Sequence, residues 1–252
     1  MIEILILSII QGATEFLPVS SSSHLIIFSN FLNFQNQSLS IDVSLHIGSF
    51  LAVIIFFYKD VLNFINEKDI FFKIILSSVP VVLVGFFLVE TNLISKFRNI
   101  EVIGWMTLIF GIILYLSDRF RLDNELKKDF DFKSAITIGL FQVLSLVPGV
   151  SRSGIAISAA RILKFKRYDS AKISFLLSIP ILGAISIFGI KNLVETNSLE
   201  FTITNIFSVL ISFFVSFITI KFFLNYVQKF DLKIFVIYRI VLGIILISLS
   251  YL

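Results

Sequence analysis

Six apolar blocks, at roughly 41–58, 71–89, 101–117, 173–190, 202–221 and 234–252, are each long enough to cross a lipid bilayer as a helix. Hydrocarbon offers backbone N–H and C=O groups no partner, so a single spanning segment has to satisfy them internally as a helix. Only 15% of the 252 residues are charged, against about 25% in soluble domains. The mean hydropathy is +0.97. The chain is therefore expected to be an all-α polytopic membrane protein. Its opening, MIEILILSII, carries Glu3, no Lys or Arg, and no small-residue cleavage pattern after it, so no removable signal is expected. The absence of cysteine excludes disulfides, thiolate metal sites and a Cys nucleophile. A net charge of +4 does not point to nucleic acid, because the basic residues lie in the loops between spans.

Regions 1–33 and 134–163 differ from the six blocks. Each holds two apolar stretches of about 12 to 14 residues around a polar break, too short to cross and suited to re-entrant helical hairpins. With both termini outside, the inside loops 59–73, 117–133, 161–172 and 221–233 hold sixteen of the 21 basic residues. The outside loops hold Lys96, Arg98 and Lys191. This is a strong positive-inside bias, and a full crossing by either hairpin would destroy it.

Gln11, Val19, Ser20 and Ser22 match Gln142, Val150, Ser151 and Ser153 at a constant offset of 131. Ser78–Val79 matches Ser208–Val209 at an offset of 130. One hairpin and three spans per half make an odd number of crossings, so the second half enters the membrane inverted. The expectation is one integral-membrane domain, 1–252, with inverted-repeat halves of about 1–118 and 133–252, and with the broken segments marking the site.

The first break is QGATEFLPVSSSSHL, residues 11–25. Pro18 cannot continue the preceding helix, and Ser20, Ser21, Ser22 and Ser23 offer capping hydroxyls to a new one. The second break, LVPGVSRSGIAIS, repeats the design: Pro148–Gly149 stops one helix, and Ser151, Ser153 and Gly154 open the next. Two helix N-termini converging on Arg152 would form a receptor for a phosphate or diphosphate. Serine alone also serves close helix packing in lipid, so Arg152 is what discriminates: a charge deep in a membrane segment is presumed functional. Glu15 shares a helix face with Gln11. A carboxylate beside a phosphate calls for a bridging divalent cation, Mg²⁺ or Ca²⁺, or else it pairs with Arg152 for structure. His24 stands three residues after Ser21, and either is a candidate nucleophile, with His24 also a candidate acid or activator of Ser21. His46 reads as an interfacial residue. Arg239 reads as structural, snorkelling to the inner interface or pairing with an acid, and Arg161, Lys164, Lys166 and Arg167 read as an inside anchor able to attract anionic lipid.

QGATEFLPVSSSSHL and PGVSRSG, in this order and in these halves, resemble the two signatures of bacterial undecaprenyl-diphosphatases, the integral-membrane family associated with bacitracin resistance. The resemblance covers essentially the whole chain, including the closing IYR. It implies hydrolysis of the terminal phosphate of a polyprenyl diphosphate lipid, undecaprenyl diphosphate, to the monophosphate carrier of cell-wall synthesis, in the bacterial inner membrane. The family's acidic motif falls on Gln11 and Glu15, its Ser and His on Ser21 and His24, and its Arg on Arg152. Ser23 stands where the family usually has Gly, and Ala156 where it usually has Thr, which bears on the packing of the active-site loop. The Ser-Arg, five residues, His pattern of another lipid-phosphatase family is not met, since Ser158 occupies that place. The first hairpin enters from the outer face, so the site is expected to open there. The competing class is an inverted-repeat transporter of an anion or of the carrier lipid, and a homodimer stays open.

Overall fold

A computed structural model of the chain describes residues 1–31, 38–64, 67–91, 93–120, 124–195 and 203–251. Arg121, one of the loop cations, and positions 202 and 252 at the ends of two expected spans lie outside the described residues. The described residues form helices and turns, with one isolated β-bridge between Asn124 and Phe165.

Six helices are long and apolar enough to cross a membrane. They are α3 (Leu39–Phe56), α5 (Lys68–Glu90), α6 (Ile100–Asp118), α10 (Arg167–Glu195), α11 (Ile203–Lys229) and α12 (Lys233–Ser250). Each coincides with one expected block; α5, α6 and α10 overrun theirs at both ends, whereas α3 ends at Phe56, two residues short of its block. Ser38 caps α3 by accepting from the Ile41 N–H, and Asn99 caps α6 by accepting from Val102. Short helices α4 (Tyr58–Asn63) and α7 (Leu126–Asp129) lie in loops.

The two irregular regions form helix pairs. The first is α1 (Ile2–Thr14) and α2 (Ser21–Phe31); the second is α8 (Phe132–Val143) and α9 (Arg152–Ile162). α1 packs against α11, and α8 against α5, so each short helix leans on a span of the other half. Small residues permit these approaches: a Cβ on Gly139 would lie 2.4 Å from the Ser77 carbonyl oxygen. The Ser77 hydroxyl donates to Ala135 O at 2.8 Å, tying the same two helices. Between α3 and α11, Ser49 meets Ser212 and Ser216, and the Asn205 amide donates to Ser40 and Ser44. These hydroxyls and amides are mutually satisfied, as polar side chains among apolar helices must be.

The expected inside anchor is a structural hub. Arg161 is fully buried and donates to Asp118 and to the carbonyls of Asp118 and Phe165. Arg167 grips the same carboxylate with Nε and Nη2, at 2.9 and 3.0 Å, and the Leu232 N–H adds a fourth contact. Lys166 pairs with Glu125. Asp118 thus fastens the end of α6 to α9, α10 and the start of α12. Asp118→Ala is expected to cost about 3–5 kcal/mol, because it strands Arg161 as an uncompensated buried charge. Thermal unfolding of the purified protein in detergent checks this.

Candidate active site

Glu15 follows the last residue of α1 with helical dihedrals, φ −62° and ψ −40°, and its N–H bonds Gln11 O, so both side chains share a face. Pro18, with no N–H to give, ends the helix. Ser20 then takes φ 76° and turns the chain into α2. The second break repeats this: α8 tightens into a 3₁₀ turn, Leu144–Leu146, Gly149 takes φ 101°, and Ser151 takes φ 71° before α9. Ser20 and Ser151 stand 131 positions apart, and a positive φ on a residue with a Cβ persists only when its surroundings enforce it.

The surroundings are the opposite break. Gly149 N–H donates to Ser20 Oγ at 3.3 Å, and Ser153 Oγ donates to Leu17 O at 2.7 Å. Arg152 Nη2 donates to Glu15 Oε1 at 2.8 Å, an ion pair whose side chains are 12% and 5% exposed. Beneath both breaks lies Arg239, 0% exposed. It donates to Pro18 O from Nη1, to Gly149 O and Val150 O from Nη2, and to Thr107 O from Nε. It neither snorkels nor pairs with an acid; four carbonyls take its charge.

A cavity of about 140 Å³ opens above the joint. Glu15, Ser20, Ser21, Ser22, Ser151 and Arg152 form its polar wall, with His46 and Ser145 beside them. Val81, Leu146, Ile181 and Ile185 form an apolar wall. Ser153 and Gly154 do not line it. Ser153 spends its hydroxyl on Leu17 O, and Gly154 N–H caps onto Ser151 Oγ at 3.1 Å.

The expected pairing of Ser21 with His24 is not made. Ser21 Oγ donates to Glu15 Oε2 at 2.6 Å. His24 turns the other way: its Nδ1 lies 2.6 Å from Ser20 O, and its Nε2 bonds the Tyr238 hydroxyl. The carbonyl requires a proton on Nδ1, so in the neutral ring Nε2 accepts from Tyr238. Ser21 therefore has a carboxylate, not an imidazole, as its proton acceptor. Tyr238, in the IYR segment, carried no chemical signal of its own.

Gln11 lies behind Glu15. Its Nε2 donates to Glu15 Oε2 at 3.0 Å and meets His46 Nδ1 at 3.1 Å, while Oε1 is buried with no partner among the described residues. His46 thus belongs to the cavity rather than the interface. It sits seven positions into α3, roughly 10 Å along the axis. That depth is the signal by which an ionisable residue in a span is recognised. Arg152 Nη1 is also buried with no partner among the described residues, which leaves half of its fork free.

Among the described residues no group of three or more His, Cys, Asp or Glu gathers. A cation here would rest on one carboxylate plus neutral oxygens, and such donors line the cavity in Glu15 and Ser21, while Gln11 lies behind Glu15 with its NH₂ end toward the carboxylate. That set suits a hard ion completing its shell with water or phosphate.

A family model described as bacitracin resistance protein BacA matches residues 4–245. A protein of Pelagibacter ubique (strain HTCC1062) named undecaprenyl-diphosphatase is 47% identical over 251 residues, covering 99% of this chain and 98% of that one. Proteins of the same name from Desulforudis audaxviator (strain MP104C) and Jannaschia sp. (strain CCS1) are 36% and 34% identical, each over 98% of this chain and 97% of their own.

Proposed function

The chain belongs to the bacitracin-resistance BacA family, and we propose that it hydrolyses undecaprenyl diphosphate to undecaprenyl phosphate at the joint of the two breaks. The observation that carries this placement is the Glu15–Arg152 pair at the cavity wall, with Ser21 bonded to Glu15 and Arg152 Nη1 without a partner among the described residues. Arg152 binds the diphosphate through Nη1, and the N-terminal ends of α2 and α9 add their dipoles. The apolar wall continues the lipid, so the isoprenoid chain stays among the helices while the headgroup enters.

Ser21 Oγ attacks the terminal phosphorus, and its proton passes to Glu15 Oε2. The bond from that phosphorus to the bridging oxygen breaks, and undecaprenyl phosphate leaves. Water then displaces the serine, which recovers the proton from Glu15, and inorganic phosphate is released. His24 positions the start of α2 through Ser20 O and Tyr238. A divalent cation, Mg²⁺ or Ca²⁺, held by Glu15 with neighbouring serine hydroxyls, would supply charge neutralisation for the phosphates.

The exchange of partners between halves, α1 on α11 and α8 on α5, supports an inverted repeat with re-entrant pairs. The sixteen loop cations on one side support an inner-membrane orientation with the site opening outward.

Purified protein in detergent should release phosphate from undecaprenyl diphosphate and not from undecaprenyl phosphate. Acid quenching during turnover should trap a phosphoenzyme that maps to Ser21. Full turnover with no label at Ser21 would hand the attack to water; no turnover at all would sink the assignment.

A further inference from the structure

We infer that His46 is a phosphate-binding residue of this site, contacting a terminal phosphoryl oxygen through Nε2–H, with Gln11 fixing the tautomer that presents this donor. The inference rests on the phosphatase reading above and adds to it a residue that the two signature motifs do not contain.

The tautomer follows from hydrogen-bond bookkeeping along one chain of groups. Glu15 is ion-paired to Arg152 and accepts from Ser21, so it faces Gln11 as a carboxylate. A carboxylate oxygen 3.0 Å from the Gln11 amide needs the NH₂ end toward it, because the carbonyl end would be repelled. One Nε2 hydrogen goes to Glu15, and the second points at His46 Nδ1, 3.1 Å away. Nδ1 must then carry a lone pair. The ring proton sits on Nε2, which makes Nε2–H the group His46 presents to the cavity it lines. The unpartnered Gln11 Oε1 is what this orientation leaves behind.

The corresponding positions of the second break carry no such chain. At the offset of 131, Glu15 and His46 correspond to Leu146 and Leu177, and among the described residues neither end of the Gln142 amide is hydrogen-bonded. A purely architectural glutamine would be served alike in both halves. Gln11 is given partners only on the side where the cavity has a polar wall. A neutral donor also suits the place: it adds a hydrogen bond to the phosphoryl group without a second cation competing with Arg152 for Glu15.

The two nitrogens of His46 can be tested separately. His46→Gln puts an amide nitrogen near the position of Nε2 and keeps a donor into the cavity. His46→Asn puts a carbonyl near Nδ1 and keeps only the acceptor for Gln11. For undecaprenyl diphosphate hydrolysis, His46→Asn and His46→Leu should lower kcat/KM about 10- to 100-fold, the loss expected for a hydrogen bond to a charged group. His46→Gln should stay within about threefold of the parent. If His46→Leu does not fold, the Gln and Asn variants still decide.

A second readout does not involve turnover. The chain has two histidines, so ¹⁵N-histidine labelling gives two ring systems, assigned by His46→Gln. The resting protein should show His46 protonated at Nε2 alone and His24 at Nδ1. Asn as active as Gln at position 46, or a proton on His46 Nδ1, would overturn the proposal. A parent protein that releases no phosphate would instead overturn the phosphatase reading beneath it.

Discussion

Arg152→Ala lowers kcat/KM for undecaprenyl diphosphate about 10³-fold or more, and Arg152→Lys recovers only a small part of the loss. Phosphoryl transfer asks the protein mainly to hold and neutralise a spreading negative charge, and an arginine supplied for this purpose is worth about 10³–10⁵ in rate. Arg152 divides one planar group: Nη2 holds Glu15 Oε1 at 2.8 Å, and Nη1 has no partner among the described residues. A lysine carries the charge as a single point and cannot bond Glu15 and a phosphate in two fixed directions. Its ammonium would settle on Glu15 or on the substrate. The alanine variant should also release Glu15 to repel the incoming diphosphate, so its KM rises together with the fall in kcat. Steady-state phosphate release in detergent, with melting temperature as a control for folding, checks the prediction. Arg152→Lys with parental kcat/KM would show that charge alone suffices and that the fork geometry is irrelevant.

How this site could be anticipated depends on the kind of signal each residue leaves. The six spans were legible because each is a local, one-dimensional property: enough apolar residues in a row. The breaks were legible because proline, glycine and clustered serine punctuate helices whatever surrounds them. Arg152 and Glu15 were legible as a pair because charges in apolar segments need partners. What escaped was direction. Ser21 and His24 share a helix face by spacing, yet the positive φ at Ser20 turns the start of α2 so that Ser21 meets Glu15 and His24 meets Tyr238. Spacing along a helix says which residues share a face, not which neighbouring segments take up each side chain. Arg161 escaped for a related reason. Its neighbours Lys164 and Lys166 look like a solvated run, and only the packing of α6 against α9 brings Asp118 beneath it.

Arg239→Leu is expected to be the most destabilising single substitution outside the hub at Asp118, and to abolish hydrolysis with it. The guanidinium is completely buried and bonded to Pro18 O, Gly149 O, Val150 O and Thr107 O, that is, to both breaks and to α6. The carbonyls of Pro18, Gly149 and Val150 lie where the helices are interrupted, so no intrahelical N–H reaches them, whereas Thr107 lies inside α6. Each buried polar group left without a partner costs about 1–3 kcal/mol. The three break carbonyls together reach several kcal/mol, and for a chain of this size each kcal/mol lowers the melting temperature by about 2–4 °C. A drop on the order of 10 °C is therefore expected for the leucine variant. Arg239→Lys should fall in between, since one ammonium cannot reach carbonyls on three segments. Activity should follow the joint rather than global unfolding. Arg239 also underlies Ser20 and Ser151, whose positive φ values hold the Glu15–Arg152 pair in place. Below its own melting temperature, the lysine variant should still be folded but should hydrolyse undecaprenyl diphosphate at least about 10-fold more slowly, a misplacement effect. Melting curves and phosphate release measured on the same preparations separate the two consequences. A lysine variant with parental activity and a lowered melting temperature would confine Arg239 to stability and would show that the breaks keep their geometry without it.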